Sequence, residues 1–282
     1  MEIKRIFVVG AGTMGNGIAQ TAAVAGYQVT MMDVVPEQIE RARVAIASSA
    51  RKLLDKGAIT LDQHQAALNI TTSTGMDSIP ESDLVIEAAT ENPAIKLKIF
   101  SDLDGLAPPG AILASNTSSI SITRIAAATQ RPQQVIGMHF MNPVPIMRLV
   151  ELVRGIATSD QTYASARNVC IKMGKEAVEA QDMPGFISNR ILCPMINEAI
   201  FTLQDGVGTV EGIDTVMKLG MNHPMGPLAL ADLIGLDVVL SILEVLHQEL
   251  GEDKYRPAPL LRKMVAAGYL GRKARKGFYE YR

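Results

Sequence analysis

The chain has 282 residues, of which 48% are apolar and 20% charged, and its formal net charge is −2. This length suffices for one large or two moderate domains, and the near-neutral charge argues against nucleic-acid binding through a basic surface. No apolar run approaches the roughly 18–20 residues of a membrane span, no signal-peptide pattern opens the chain, and the two cysteines lack metal-ligand spacing. We therefore expect a cytoplasmic protein that binds no nucleic acid, membrane or metal.

Strand-like and helix-like segments alternate through the first half of the chain. Short β-branched runs at 3–10 and 28–33 flank a small-residue helix at 16–26, and a long charged helix follows at 35–57. Further apolar strands are predicted at 83–89, 111–116 and 134–140. Alternation of helices with continuously apolar strands predicts an α/β fold, in which a doubly wound, mostly parallel sheet is covered by helices on both faces.

Helical spacing of apolar residues dominates after residue 184. The segments that carry it end on glycine and lie at 187–206, 210–220, 226–251 and 259–271. Only the terminal run 277–281 resembles a strand, and the adjacent Pro184 and Gly185 suggest a hinge. The sequence thus predicts an α/β domain over residues 1–184 and an all-helical C-terminal domain over residues 185–282.

The first strand runs into a glycine-rich loop. In VVGAGTMG, Gly10 suits a tight turn, Gly12 lets the backbone approach a pyrophosphate, and Gly15 lets the following helix pack closely. Asp33 ends the second strand, where it is placed to accept hydrogen bonds from a ribose. The unit predicts a Rossmann-type domain that binds NAD through these residues and the intervening Thr13 and Met14. FAD, or a nucleotide with a structural role, is the alternative, and Asp33 disfavours NADP without excluding it.

One histidine and one glutamate stand out in GMHFMNPVPIMRLVELV. His139 closes an apolar strand on the side where doubly wound sheets bind ligands, and Glu151 lies twelve residues later among apolar neighbours. An imidazole can take a hydroxyl proton near neutral pH, and a carboxylate behind it fixes its tautomer and stabilises the imidazolium. From periodicity alone, a core histidine beside a glutamate at the core's rim is the favoured alternative.

Polar side chains also follow the strand at 111–116. The cluster SNTSSISI offers Asn116 and Ser118 at its carboxyl end, and Asn189 lies in the segment ISNR near the hinge. These side chains can contact a bound ligand. Helix capping is the commoner role for any single residue of these types.

Six ordered motifs resemble one enzyme family along essentially the whole chain. They are VVGAGTMGNGIAQ, ASNTSSISI, GMHFMNPVPIMRLVELV, MPGFISNRI, NHPMGPLALADLIGLD and GRKARKGFYEY. Together they resemble the short-chain L-3-hydroxyacyl-CoA dehydrogenases, particularly the bacterial 3-hydroxybutyryl-CoA dehydrogenases. The resemblance implies an NAD-dependent oxidoreductase of fatty-acid or butanoate metabolism that acts on an acyl-CoA substrate and forms a homodimer through its helical domain.

The resemblance also assigns roles to single residues. It implies that His139 is the catalytic base, that Glu151 is its partner, and that Ser118 and Asn189 bind the oxygen of the substrate. It places four residues near the cofactor: Glu91, Lys96, Asn116 and again Ser118. For Glu91 and Lys96 the alternatives are a helix-capping acid and an exposed lysine. It adds contact with the CoA phosphates as a role for three basic residues, Arg51, Lys52 and Lys56. From the sequence alone, stabilisation of a helix terminus is the favoured role of these residues.

Two other functions remain open from the sequence. A related enzyme oxidising a free hydroxy acid, such as a sugar acid, would not need cations facing CoA. A protein that only binds NAD could dispense with the dyad, but His139, Glu151, Ser118 and Asn189 are all present. A lysine motif typical of 6-phosphogluconate-like dehydrogenases, which share the two-domain plan, is not found.

Overall fold

The computed structural model describes residues 2–282. The chain forms two compact units, the first ending at Met183 and the second spanning Pro184–Arg282. Within residues 2–282, no helix is both long and apolar enough to cross a membrane.

The first unit is built on one sheet of eight strands. The strands are β1 (Arg5–Val9), β2 (Gln28–Met32), β3 (Thr71–Ser73), β4 (Leu84–Glu87), β5 (Ile112–Ser115), β6 (Val135–Phe140), β7 (Leu149–Arg154) and β8 (Glu176–Gln181). Their order is β3-β2-β1-β4-β5-β6-β7-β8, and neighbouring strands are parallel except for the antiparallel pair β6–β7. The predicted doubly wound, mostly parallel sheet of Rossmann type is confirmed.

Six helices connect these strands. They are α1 (Thr13–Val24), α2 (Pro36–Asp55), α3 (Leu61–Leu68), α4 (Pro93–Leu106), α5 (Ile122–Ala126) and α6 (Asp160–Lys172). Proline begins α2 and α4, where its missing N–H is not needed. A reciprocal capping box between Thr60 and Gln63 begins α3. Local sequence therefore fixes where several of these helices start.

The central strands form the core of this unit. Every residue of β4, β5 and β6 is buried, as expected of strands covered on both faces. The strand order reverses between β1 and β4, which are neighbours although β2 and β3 separate them in the chain. Doubly wound sheets bind their ligands at this switch point, outside the carboxyl ends of the strands.

The second unit is helical. Its helices are α7 (Ser188–Gln204), α8 (Val210–Gly220), α9 (Pro227–Ile234), α10 (Leu236–Leu250) and α11 (Pro259–Ala266). A core of buried aliphatic side chains joins them, including Ile200, Leu228, Leu243 and Leu261. The predicted all-helical C-terminal domain is confirmed.

Two sequence predictions for this unit are wrong. The segment 226–251 is two helices rather than one, because Gly235 adopts a φ of 104°, which an α-helix cannot contain. The run 277–281 is not a strand and makes only isolated bridges. Its backbone is instead bound by the buried carboxylate of Asp232, which accepts hydrogen bonds from the N–H groups of Phe278 and Tyr279 at 3.0 and 2.9 Å.

Candidate active site

The glycine loop joins β1 to α1 at the switch point. Gly10 has a φ of 102°, and a Cβ on Gly15 would lie 1.8 Å from the carbonyl oxygen of Gly10. A Cβ on Gly12 would meet nothing within 4 Å, so the space beside this residue is open. Gly12 is the N-cap of α1 without a side-chain cap, and Thr13 and Met14 are the first residues of that helix. These features fit a pyrophosphate bound at a helix N-terminus.

Asp33 follows β2 and lies beside this loop. Its Oδ2 accepts a hydrogen bond from the N–H of Ala11 at 2.8 Å, and its Oδ1 accepts one from the N–H of Val35 at 3.0 Å. The carboxylate therefore holds the glycine loop, and Asp33 remains half-exposed at the end of β2.

His139 and Glu151 face each other across the antiparallel pair of strands. The register of β6 and β7 sets them directly opposite, and His139 Nδ1 lies 2.7 Å from Glu151 Oε2. The two residues are 8% and 1% exposed. A buried carboxylate is costly to leave unpaired, and the imidazole supplies its partner. The predicted pairing of these two side chains is thus present in the fold.

A second cluster forms after β4 and β5, whose carboxyl ends lie at the same edge as that of β6. Glu91 Oε1 accepts hydrogen bonds from the N–H of Ser118 at 2.6 Å and from its hydroxyl at 3.0 Å. Glu91 Oε2 accepts one from the hydroxyl of Thr117 at 2.8 Å. Asn116 Oδ1 accepts from the N–H of Phe140 at 2.9 Å, which ties this loop to the residue after His139.

Lys96 lies beneath this cluster and is only 1% exposed, so the alternative of an exposed lysine is wrong. Its ammonium pairs with the buried carboxylate of Glu87 and lies 3.9 Å from Glu91 Oε2. The hydroxyl of Ser115 donates to Glu87 Oε2 at 2.8 Å and completes the buried group. Glu87 and Thr117 are polar residues of this site that the sequence prediction missed. A glutamate ending the apolar run LVIE was the available signal.

The remaining predicted residues belong to other elements. Arg51, Lys52 and Lys56 are exposed at the end of α2, where Arg51 pairs with Asp55 at 2.9 Å. Asn189 is the second residue of α7 in the helical unit, and the N-cap position belongs to Ile187. Ser121, rather than Ser118, is the serine of its cluster that caps a helix, accepting from the N–H of Arg124 at 3.2 Å.

The two cysteines are buried and free. Burial raises the pKa of the thiols of Cys170 and Cys193 to about 12. Both therefore stay protonated at neutral pH, and neither provides the thiolate that nucleophilic catalysis by cysteine requires.

Family models match nearly the whole chain. Residues 5–183 match the NAD binding domain of 3-hydroxyacyl-CoA dehydrogenase, and residues 185–281 match the C-terminal domain of the same family. The match to the first model covers the unit that carries the glycine loop and the His139–Glu151 pair.

Individual relatives match over nearly their full length. The chain is 57% identical to the probable 3-hydroxybutyryl-CoA dehydrogenase of Bacillus subtilis, covering 100% of this chain and 98% of that protein. It is 53% identical to the 3-hydroxybutyryl-CoA dehydrogenase of Bradyrhizobium diazoefficiens, over 99% and 96% of the two chains. The crystal structure of (S)-3-hydroxybutyryl-CoA dehydrogenase PaaH1 from Ralstonia eutropha superposes with a TM-score of 0.96 at 51% identity, covering 100% of both chains. The chain therefore belongs to the 3-hydroxyacyl-CoA dehydrogenase family and is an NAD-dependent oxidoreductase.

Proposed function

We propose that this protein reversibly oxidises (S)-3-hydroxybutyryl-CoA, a short-chain 3-hydroxyacyl-CoA, to acetoacetyl-CoA. The observation that carries the proposal is the buried pair of His139 and Glu151, 2.7 Å apart at the ligand edge of the sheet. The names of the relatives support this substrate, because the three relatives described above are named as 3-hydroxybutyryl-CoA dehydrogenases.

His139 acts as the general base in this proposal. Oxidation of a hydroxyl to a carbonyl requires removal of the hydroxyl proton, and the imidazole takes it. Glu151 holds the ring through Nδ1 and stabilises the imidazolium that forms, as a carboxylate does behind a catalytic histidine. In the reverse direction, the imidazolium returns this proton to the oxygen of the ketone.

Ser118 and Asn189 orient the reacting oxygen in this proposal. Each carries a side chain that can donate a hydrogen bond to a hydroxyl or carbonyl oxygen. Glu91, by accepting from both the hydroxyl and the N–H of Ser118, sets the direction of that serine. Placing an oxygen and a base in a fixed geometry is itself a large part of a catalysed rate.

NAD would accept hydride from C3 of the substrate. Gly10, Gly12, Thr13, Met14 and Gly15 would hold the pyrophosphate at the N-terminus of α1. The carboxylate of Asp33 would accept from the ribose hydroxyls, where it would repel a 2′-phosphate. Three further residues would lie near the nicotinamide end: Glu91, Lys96 and Asn116.

The two units have different functions in this proposal. Residues 1–184 bind NAD, and residues 185–282 contribute to substrate binding and form the dimer. Lys52 lies in the last turn of α2 and Lys56, four residues later, is its C-cap, and with Arg51 they provide exposed cations for the phosphates of CoA. The pairing of Arg51 with Asp55 makes the two lysines the stronger candidates.

A homodimer through the helical unit is supported by an apolar groove. The groove has a volume of about 640 Å³ and is lined by Met195, Ala199, Val207, Ile213, Val216 and Met217. Val216 is 60% exposed. An exposed apolar surface of this kind is typical of a site where a protein partner packs.

The two free, buried cysteines support the proposed cytoplasmic location, because cytoplasmic proteins keep their thiols reduced.

The substrate is tested by comparing acceptors in an assay of NADH oxidation. We expect fast turnover of acetoacetyl-CoA with NADH, much slower turnover with NADPH, and none with free acetoacetate. Turnover of the free acid at a similar rate would favour the enzymes of free hydroxy acids. Binding of NADH without turnover of any acceptor would leave a protein that only binds the cofactor.

A further inference from the structure

One buried lysine of the first unit does not belong to the residues described so far. Lys175 is 8% exposed, and its ammonium donates hydrogen bonds to the carbonyl oxygens of Val144 at 2.5 Å and Met147 at 2.7 Å. Burial lowers the pKa of Lys175, and the side chain of Cys170 opposes that effect to a smaller extent. A buried cation held by backbone carbonyls alone calls for an explanation.

Both carbonyls belong to the turn 141–148, which links β6 to β7. The turn starts after Phe140 and ends before Leu149, so it separates the strand of His139 from that of Glu151. Inside it, the N–H groups of Ile146 and Met147 both donate to the carbonyl of Pro143, at 3.0 and 2.9 Å. Lys175, which lies outside the turn, thus donates hydrogen bonds to one carbonyl in the middle of the turn and to another near its end.

The fold brings Lys175 to this place through β8. That strand pairs with β7 in a register that sets Glu176 opposite Leu149, and the N–H of Glu176 donates to the carbonyl of Arg148 at 2.7 Å. Lys175 immediately precedes Glu176, after Gly174 has turned the chain at the end of α6 with a φ of 70°. Its side chain therefore starts beside the end of the turn.

The turn also packs on α1. Val144 is buried, and a Cβ on Gly17 would lie 2.9 Å from the Cβ of Val144. The turn is thus held both by contact with the helix that follows the glycine loop and by the ammonium. An apolar side chain could fill the same space without desolvating a charge. What the ammonium adds is a fixed position for two carbonyls.

We propose that Lys175 is a positioning residue for the His139–Glu151 pair. By binding Val144 and Met147, it fixes the path of the turn and hence the alignment in which β7 presents Glu151 to the imidazole. The inference rests on the proposed function for its catalytic consequence. The alignment itself does not depend on the substrate.

The test compares Lys175→Met with Lys172→Met, which removes an exposed lysine from the end of α6. The first readout is kcat and KM with acetoacetyl-CoA and NADH. The second is the proton NMR signal of the imidazole N–H that bonds Glu151, assigned by its loss in Glu151→Gln. For Lys175→Met we expect kcat to fall about 10- to 100-fold, as for a small misplacement of catalytic groups, with KM for NADH nearly unchanged and the signal shifted or broadened.

Lys172→Met should keep the native kcat and the native signal, and Lys175→Arg should recover part of both. Native kcat and signal in Lys175→Met, with only a lower melting temperature, would overturn the proposal. If Lys175→Met does not fold, Lys175→Gln carries the test, because its amide nitrogen ends one bond short of the position of the ammonium and carries no charge. Native kcat in that variant would overturn the proposal equally. If the native protein does not turn over acetoacetyl-CoA, the proposed function fails, while the NMR signal still tests the alignment.

Discussion

His139 and Glu151 owe their contact to strand register. Residues directly opposite on antiparallel strands have side chains on the same face, so a shift of one residue in β7 would turn Glu151 to the other side of the sheet. The pair is also buried, where the attraction between an imidazolium and a carboxylate is stronger than in water. The geometry therefore suits a base whose charged form must be stabilised during the reaction.

Replacing Glu151 by glutamine tests that stabilisation. Glutamine keeps the size of the side chain and removes its charge, so the imidazolium loses its counter-ion and the tautomer of His139 is no longer fixed. We expect kcat for acetoacetyl-CoA reduction to fall about 10²-fold or more, with the melting temperature close to native.

Glu179→Gln is the matched control, because Glu179 is an exposed residue of the neighbouring β8. It should retain native kcat. Equal rates in Glu151→Gln and Glu179→Gln would show that the charge of Glu151 has no catalytic part.

The buried thiols predict a loss of stability at alkaline pH. Burial raises the pKa of Cys193 from its ordinary value of 9.0 to about 12. Between these values the unfolded chain loses the thiol proton and the native protein keeps it, so the free energy of unfolding falls as pH rises. One such thiol contributes a slope of about 1.4 kcal/mol per pH unit.

Urea unfolding of the native protein and Cys193→Ala at pH 8, 9 and 10 measures this contribution. The lost sulfur leaves a cavity whose cost does not vary with pH, whereas the alkaline slope should be shallower in the variant. Parallel pH dependences for the two proteins would refute the assignment to Cys193.

At the scale of elements, the site is assembled from strand ends. The glycine loop follows β1, Asp33 follows β2, Asn116 and Ser118 follow β5, and His139 lies near the end of β6. Because β1, β2, β5 and β6 are parallel, these ends meet at one edge of the sheet. The buried group of Glu87, Lys96 and Ser115 lies under that edge and links β4, α4 and β5.

Two glycines of one loop should respond differently to alanine. A Cβ on Gly15 would clash with the carbonyl of Gly10 at 1.8 Å, so Gly15→Ala should separate α1 from the loop and lower both stability and NADH affinity. A Cβ on Gly12 would enter open space. Gly12→Ala should therefore keep the native melting temperature of the free protein and still weaken NADH binding, because the backbone can no longer approach the pyrophosphate.

Melting curves without cofactor and fluorescence titrations with NADH distinguish these outcomes. Native NADH affinity in Gly12→Ala would show that the cofactor does not lie against this loop. An undiminished melting temperature in Gly15→Ala would contradict the close packing of α1.

At the scale of the whole molecule, continuous apolar runs made most of the sheet predictable. Strands β1, β4, β5 and β6 are buried on both faces, so their sequences are nearly continuous apolar runs that predict strands directly. Strand β8, with the sequence EAVEAQ, lies at the edge of the sheet and is mostly exposed. Its sequence therefore contains charged residues and lacks the apolar run that identifies the central strands. The break between α9 and α10 at Gly235 could not be predicted from the sequence either, because a lone glycine is tolerated inside many helices.

The site was less predictable than the fold. Family resemblance points to residues such as His139, but it does not identify the partner of Lys96, because Glu87 and Lys96 meet through tertiary packing rather than local spacing. The same holds for Lys175, whose two carbonyl partners lie about thirty residues earlier in the chain. Long-range contacts of single polar residues leave no periodic signal in a sequence.

The proposed dimer gives a prediction for the assembled molecule. Val216 lines the apolar groove of the helical unit, and a glutamate there would place a charge in the interface. We expect the native protein to sediment as a dimer and Val216→Glu to sediment largely as a monomer. Thr215→Glu, at the exposed neighbouring position outside the groove, should remain dimeric. A native monomer, or a dimer in all three proteins, would contradict the assignment of this surface.

The most direct test of the catalytic role of His139 is the rate of acetoacetyl-CoA reduction by NADH in the native protein and in His139→Ala, with NADH affinity measured in both. We predict that kcat falls about 10²–10⁴-fold, the contribution of general acid–base catalysis, while the dissociation constant for NADH stays within about threefold of native, since the glycine loop is untouched. A variant that reduces acetoacetyl-CoA at the native rate would contradict the role of His139 as the base.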